Sequence, residues 1–426
     1  MIPAAAWPRD DPRATRLLHV DPQSGLFADC TIGDLRTLLR PGDLLVVNDA
    51  ATAPASLAGV TASGEPIEAR LTGAGGSGDG SWRAVLFGAG DWRRRTEDRP
   101  PPPSVQPGDL LLFGETAAPR SGHTASRDAG APADDRAVDR SPTHEVQAGP
   151  PADGSAPAFA SPFGKSASAP ATAGTPGKSA GAPATAGTPR KSLLATVTEV
   201  DPASPRLVSL QFNLRGAALW RALYRVGRPV QYAHTAKPLA LWQVQTAYAA
   251  RPWAAEAPSA GFALTWDLLL DLRRHGIATA RVTHAAGLSS TGDGPLDARL
   301  PLAESYEVPE PTVRAVESAH AGGGRVVAVG TTVARALEGA AAQGGGRLLP
   351  SRGTTALRLG PAVRRSVVDG IVTGLHDPGT SHFELLESFA PRALLAEAHA
   401  FAEQQGYRGH EFGDAVLILG EGRPER

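Results

Sequence analysis

The densest polar cluster in an otherwise apolar stretch is SVVDGIVTGLHDPGTSH, Ser366 to His382. Asp369 precedes a short strand-like Ile371 to Thr373, and His376 follows in a loop bounded by glycine and proline. An imidazole there changes charge near neutral pH and suits proton transfer; the alternative is a hydrogen-bonding surface histidine. His376 and His382 lie six apart with no third ligand beside them, so no metal site is expected. A second motif, VVAVGTTVARALE (Val326 to Glu338), places Gly330, Thr331 and Thr332 in a turn between a strand and a helix. Free amides at a helix start attract a phosphate or carboxylate, although the same turn also serves as a plain cap. Arg335 lies one turn further on. In EFGDAVLIL, Asp414 stands just before a buried strand, where turn formation is its simplest role. His284 follows a predicted strand, and Glu304 and Glu307 flank Tyr306. The chain has no Walker lysine, dinucleotide fingerprint, nucleophile elbow or kinase set.

These residues need elements to hold them. LRPGDLLVVNDA (Leu39 to Ala50) reads as a Pro-Gly turn and a buried strand, Leu44 to Val47, ending at Asn48 and Asp49. The carboxyl end of such a strand is where a site sits in an α/β sheet. Thr265 can cap a helix carrying Trp266, Leu268, Leu269 and Leu272, stopped by Gly276. Strand Ile277 to Thr283, helix Pro309 to His320, strand Arg325 to Val329, helix Val333 to Ala342, helix Pro391 to Gln405 and strand Ala415 to Leu419 continue a βαβ rhythm. Between the two parts, Pro66 to Leu71, Trp82 to Phe87, Leu110 to Phe113, Leu193 to Val200 and Arg206 to Phe212 are short apolar or alternating runs, as in a small β-domain.

The chain of 426 residues exceeds one hydrophobic core, and 48 glycines and 38 prolines point to a segment too poor in apolar side chains to fold. Residues 116–192 fit: APATAGTPGKS (Ala169 to Ser179) returns as APATAGTPRKS (Ala182 to Ser192). The expected fold class is therefore α/β, a main α/β domain (1–58 and 229–426) with an inserted β-barrel domain (59–115 and 193–228) carrying a disordered insertion (116–192). One cysteine, Cys30, excludes an internal disulfide and a four-thiolate metal site. With 42 Lys plus Arg against 43 Asp plus Glu, the net charge of −1 offers no overall pull toward nucleic acid or membrane. Arg215, Arg221, Arg225 and Arg228 supply a local basic stretch. The start of the chain, with Trp7, Arg9, Asp10 and Asp11, is unlike a secretory signal, so a cytoplasmic, membrane-free monomer is expected.

In order, RPGDLLVVNDA, VQTAYA, AAEAPSAG, ESYEVPEPT, GGRVVAVGTTVARALE, VVDGIVTGLHDP and FGDAVLI resemble the S-adenosylmethionine:tRNA ribosyltransferase-isomerases of queuosine biosynthesis, from about Pro12 to Leu419 outside the insertion. The resemblance implies transfer of the ribosyl part of S-adenosylmethionine to 7-aminomethyl-7-deazaguanine in tRNA, and its isomerisation to give epoxyqueuosine, without a metal. It implies His376, Asp369 and Asp414 as catalytic residues, and Asn48, Asp49, Gly261, Thr265, Gly330, Thr331, Thr332 and Arg335 as binding residues for S-adenosylmethionine. Where the family has Thr-Arg and a further Arg after Asn48-Asp49, this chain has Ala50, Ala51 and Ser56. Family histidines are replaced by Ala263 and Leu302, another falls in the segment from Ala285 beside His284, and an asparagine is replaced by Gly374. Loss of two arginines predicts weakened tRNA binding. Rival readings are a divergent paralogue acting with S-adenosylmethionine or another nucleoside on a non-tRNA substrate, and a non-catalytic binding protein on the same scaffold.

Overall fold

The computed structural model describes residues 2–72, 81–114 and 193–420. The expected disordered insertion lies outside the described residues. Nine strands form one mixed sheet, in the spatial order Ser351–Thr355, Glu304–Val308, Ala278–His284, Leu44–Asn48, Val326–Val329, Gly370–Gly374, Ala415–Ile418, Arg16–Asp21 and Leu26–Thr31. The central four, from Ala278–His284 to Gly370–Gly374, run parallel, so their carboxyl ends meet along one edge of the sheet. Gly370–Gly374 pairs antiparallel with Ala415–Ile418, which brings Ala415 beside Gly374 at that same edge.

Central parallel strands are covered on both faces and therefore read as continuous apolar runs. Every residue of Leu44–Asn48 and of Val326–Val329 is buried. One face is covered by the helix Thr331–Gln343, whose Val333, Ala334, Ala336, Leu337, Ala340 and Ala341 are all buried. Small side chains let it lie close: a Cβ on Gly339 would come within 2.4 Å of Thr355 Oγ1. The helix Trp266–Arg274 packs Leu268, Leu269 and Leu272 on the other face, and Thr265 caps it by accepting from the Leu268 amide at 3.3 Å.

Six antiparallel strands close a barrel in the order Leu207–Phe212, Ser81–Phe87, Pro66–Leu71, Ser56–Thr61, Leu110–Phe113 and Leu193–Val200. The strand Ser56–Thr61 runs across residue 58, where the sequence places the boundary. Inside the barrel domain, Glu68 is buried against Arg70 and Arg99, with Arg70 Nε 2.7 Å from Glu68 Oε1. Burial alone would raise this carboxyl, but the two guanidinium groups outweigh it and hold its pKa at about 2. No helix among the described residues is long and apolar enough to cross a membrane.

Candidate functional site

The edge where the parallel strands end gathers most of the sequence-predicted residues. Asn48 ends its strand as a clasp: its Nδ2 donates to the His284 carbonyl at 3.0 Å and to Thr332 Oγ1 at 3.3 Å, while its Oδ1 accepts the His284 amide at 2.9 Å. Three chain segments are thereby locked at one point. Asp49 beside it is buried, accepts a hydrogen bond from Thr283 Oγ1, and has Arg281 Nε at 3.6 Å. Gly330 turns the chain into the Thr331–Gln343 helix at φ 91°, a conformation that favours glycine. Gly261 admits no side chain, because a Cβ would stand 2.1 Å from the Tyr248 hydroxyl oxygen.

Thr331, Thr332 and Arg335 line a cavity together with Glu304, Glu256 and His382. Arg335 is buried, paired with Glu304 and bonded through Nε to the Leu357 carbonyl at 3.1 Å. Its Nη2 is also buried and has no partner among the described residues. Burial raises the Glu304 carboxyl despite Arg335. His284 is completely buried behind it, with Nε2 3.4 Å from Glu304 Oε2 and no hydrogen bond at either ring nitrogen among the described residues. Burial, reinforced by Arg335, pushes this histidine well below its ordinary pKa, so the ring is neutral.

His376 follows the neighbouring strand, accepts or donates through Nε2 with Thr373 Oγ1 at 3.0 Å, and stacks on His382 with ring centroids 4.9 Å apart. Burial and the adjacent His382 and His410 hold it well below the ordinary histidine range, and burial with Arg335 lowers His382 to about 4. Both rings are therefore neutral at physiological pH. Asp414 lines a second, larger cavity of about 410 Å³, with Gly374, Gln245 and Phe262 also on its wall. Its carboxylate is fully engaged, by Arg9 and by the amides of Arg16 at 3.1 Å and Arg408 at 2.8 Å. Asp414 thus fixes the loops that form the cavity.

Asp369 is not brought to this edge. It lies at the amino end of Gly370–Gly374, accepting from the Val326 amide at 2.8 Å and from His320 Nε2 at 3.0 Å. Five strand residues, roughly 16 Å, separate it from the end that carries His376. A strand between two residues of one motif points them to opposite ends of the sheet. Thr265 likewise serves its helix as a cap.

Glu256 lies inside the AAEAPSAG block, where neither spacing nor residue type singles it out, yet it lines the first cavity and accepts from Tyr232 Oη and from the Ser289 amide at 2.9 Å. Burial is the main cause that raises its pKa to about 7. It therefore places on the cavity wall a carboxyl able to exchange a proton near neutrality.

A family model described as "Queuosine biosynthesis protein" matches residues 3–125 and 168–418. The S-adenosylmethionine:tRNA ribosyltransferase-isomerase of a Synechococcus strain, PCC 6301, is 32% identical over 422 residues, covering 98% of this chain and 91% of the relative. That of Methylobacterium sp. is 31% identical over 435 residues, covering 98% and 94%. For the protein of the same name from Synechococcus strain WH7803, identity rises to 41%, over 177 residues that span 41% of this chain and about half, 48%, of the relative. With both arms of the sheet and the barrel inside the matched residues, the chain belongs to the queuosine biosynthesis protein family.

Proposed function

We propose that the protein transfers the ribosyl moiety of S-adenosylmethionine to 7-aminomethyl-7-deazaguanine in tRNA and isomerises it, giving epoxyqueuosine. The observation that carries this reading is Arg335: a buried guanidinium on a cavity wall, at the start of a helix, with one terminal nitrogen unpartnered among the described residues. A buried donor without an acceptor costs about 1–3 kcal/mol, which an anionic ligand group recovers. The carboxylate of S-adenosylmethionine is such a group, and the amides of Thr331 and Thr332 add the favourable end of the helix.

The chemistry needs proton exchange at three points. The sulfonium acidifies the adjacent C5′, adenine takes up a proton as it leaves, and the aminomethyl group loses one to attack, while the C5′–S bond breaks with its electron pair going to sulfur and methionine is released. Glu256, with a pKa of about 7, both accepts and returns protons near neutrality. His376, held neutral and bonded to Thr373, orients a substrate group by hydrogen bonding and accepts a proton only from a strong acid. Asn48 and Asp414 position the walls around them.

For the tRNA, Arg215, Arg221, Arg225 and Arg228 are all exposed on and around the helix Gly216–Val226 and have no ion pair among the described residues. Arg221 and Arg225 stand one turn apart, a spacing suited to successive phosphates. This row offsets the arginines replaced by Ala51 and Ser56.

Incubating the purified protein with S-adenosylmethionine and an anticodon stem-loop carrying the precursor base tests the proposal. Adenine release together with epoxyqueuosine in the digested RNA is expected. Adenine release without RNA modification would move the activity to another acceptor, and S-adenosylmethionine binding without adenine release would leave a binding protein.

A further inference from the structure

Beyond the cavity that holds Arg335, a second group of side chains converges at the rim of the larger cavity. His234 comes from a segment far in sequence from the adjacent His410 and Glu411, yet one ligand atom from each lies within 4.8 Å of the other two. His234 Nε2 stands 2.6 Å from Glu411 Oε2, and the two imidazole rings are 4.3 Å apart, tilted by 33°. Among the described residues it is the one set of three or more such side chains that meets.

We propose that His234, His410 and Glu411 form a three-ligand site for a divalent transition metal, zinc being the ion their donors suit best. Two imidazole nitrogens and one carboxylate oxygen are borderline donors that favour zinc over magnesium or calcium. Zinc held at about 2.0–2.2 Å sets neighbouring tetrahedral donors roughly 3.3–3.5 Å apart. The His234–Glu411 contact is shorter than that value and the limit on the whole group lies above it, so small side-chain adjustments bring the three donors to it, with the ion replacing the hydrogen that now bridges His234 and Glu411. His410 and Glu411 line the cavity of about 410 Å³, which leaves the fourth coordination position facing open space. That is the arrangement of a site that can bind water or a substrate oxygen.

An independent observation concerns the backbone. His410 has φ 65°, and it is the single non-glycine residue at positive φ among the described residues. For a residue with a β-carbon this conformation is strained, and glycine would relieve it. Glycines stand close by at Gly409 and Gly413, so the strained position is the one occupied by imidazole. The strain is imposed by bonds on both sides: the Gly409 amide donates to the Pro3 carbonyl at 2.9 Å and the Gly413 amide to the His410 carbonyl at 3.0 Å. On the far side, Tyr232 stacks on His234 at 6.3 Å and 15°, limiting its rotation. Both imidazoles are therefore oriented before any ion arrives.

The test uses the full-length protein stripped with a chelator, then titrated with Zn²⁺ against a chromophoric competitor, with Co²⁺ loading followed by visible ligand-field bands. One equivalent of saturable Zn²⁺ binding is expected. Glu411→Gln and His410→Asn should each weaken it by more than the roughly 10–100-fold typical of removing a supporting partner. Asparagine tolerates positive φ, so His410→Asn removes the ligand without adding strain. Circular dichroism checks each variant, and either folded variant alone decides the matter. Absence of a saturable equivalent, or undiminished binding by either folded variant, would overturn the site and leave the His234–Glu411 hydrogen bond as a loop fastener.

Discussion

The two ends of the central sheet carry similar residues in opposite states. At the amino end, Arg325 and Asp43 are buried as an ion pair at 2.6 Å, and Arg325 also donates to the carbonyls of Gly420 at 2.6 Å and Leu38 at 3.2 Å. Asp369 is saturated there as well, by Val326 and His320. At the carboxyl end, Arg335 and Glu304 form a similar buried pair, but Arg335 Nη2 and both nitrogens of His284 lack partners among the described residues. A protein tolerates orphaned buried donors where a ligand supplies what the fold omits. The difference separates a charge pair that fastens strands from one that faces a cavity.

That contrast sets the size of the effects of mutation. Arg325→Met leaves Asp43 buried without its partner and should lower stability by about 3–5 kcal/mol in denaturant titration. Arg335→Met should cost less in the same experiment, because Glu304, already raised by burial, takes up a proton when its partner is lost. Equal losses at both ends would erase the distinction.

The barrel extends the comparison through pH. Glu68 is lowered from an ordinary carboxyl value to about 2, so its contribution is complete above about 4.5 and is lost as pH falls toward 2. Glu256 is raised to about 7, so it favours the folded state most below about 4.5 and loses that contribution as pH rises to 7. Each amounts to about 3 kcal/mol at 1.36 kcal/mol per pKa unit. Glu256→Gln should flatten the stability profile between pH 4.5 and 7, and Glu68→Gln should flatten the acid limb. A Glu256→Gln variant with the wild-type slope would remove Glu256 from the proton-exchanging set.

The smallest effect belongs to the surface. Arg221→Ala should weaken binding of the stem-loop modestly and reduce the salt dependence by roughly 0.7–0.9 in log–log slope, measured at two salt concentrations. An unchanged slope would take the helix Gly216–Val226 off the RNA path.

Much of the fold was legible because apolar runs in parallel strands and small-residue helices leave strong patterns. The Leu44–Asn48 strand, the Gly330 turn and the five barrel strands read from the sequence match the observed elements within a residue or two. Leu26–Thr31 escaped notice because it is an edge strand with mostly exposed residues and no apolar face. Ser56–Thr61 escaped because its pattern is interrupted at Gly59, where a Cβ would sit 2.5 Å from Phe113 Cδ1. The site was less legible. Asp369 and His376 share a motif but not an end of the sheet, whereas Glu256, His234 and His410 acquire their chemistry from burial and from neighbours distant in sequence. Spacing along a chain reports periodic structure well and three-dimensional convergence poorly.

Arg335, at the carboxyl end of the sheet, is the residue proposed to take the anionic end of S-adenosylmethionine. Isothermal titration of S-adenosylmethionine into wild type, Arg335→Lys and Asp369→Asn addresses that role directly. Loss of the guanidinium bond should weaken binding about 10–100-fold in Arg335→Lys, the ratio that corresponds to 1.5–3 kcal/mol for a charge-assisted hydrogen bond. Asp369→Asn should bind within about twofold of wild type, because its carboxylate faces the other end. Undiminished binding by Arg335→Lys, or a larger loss in Asp369→Asn, would contradict the account.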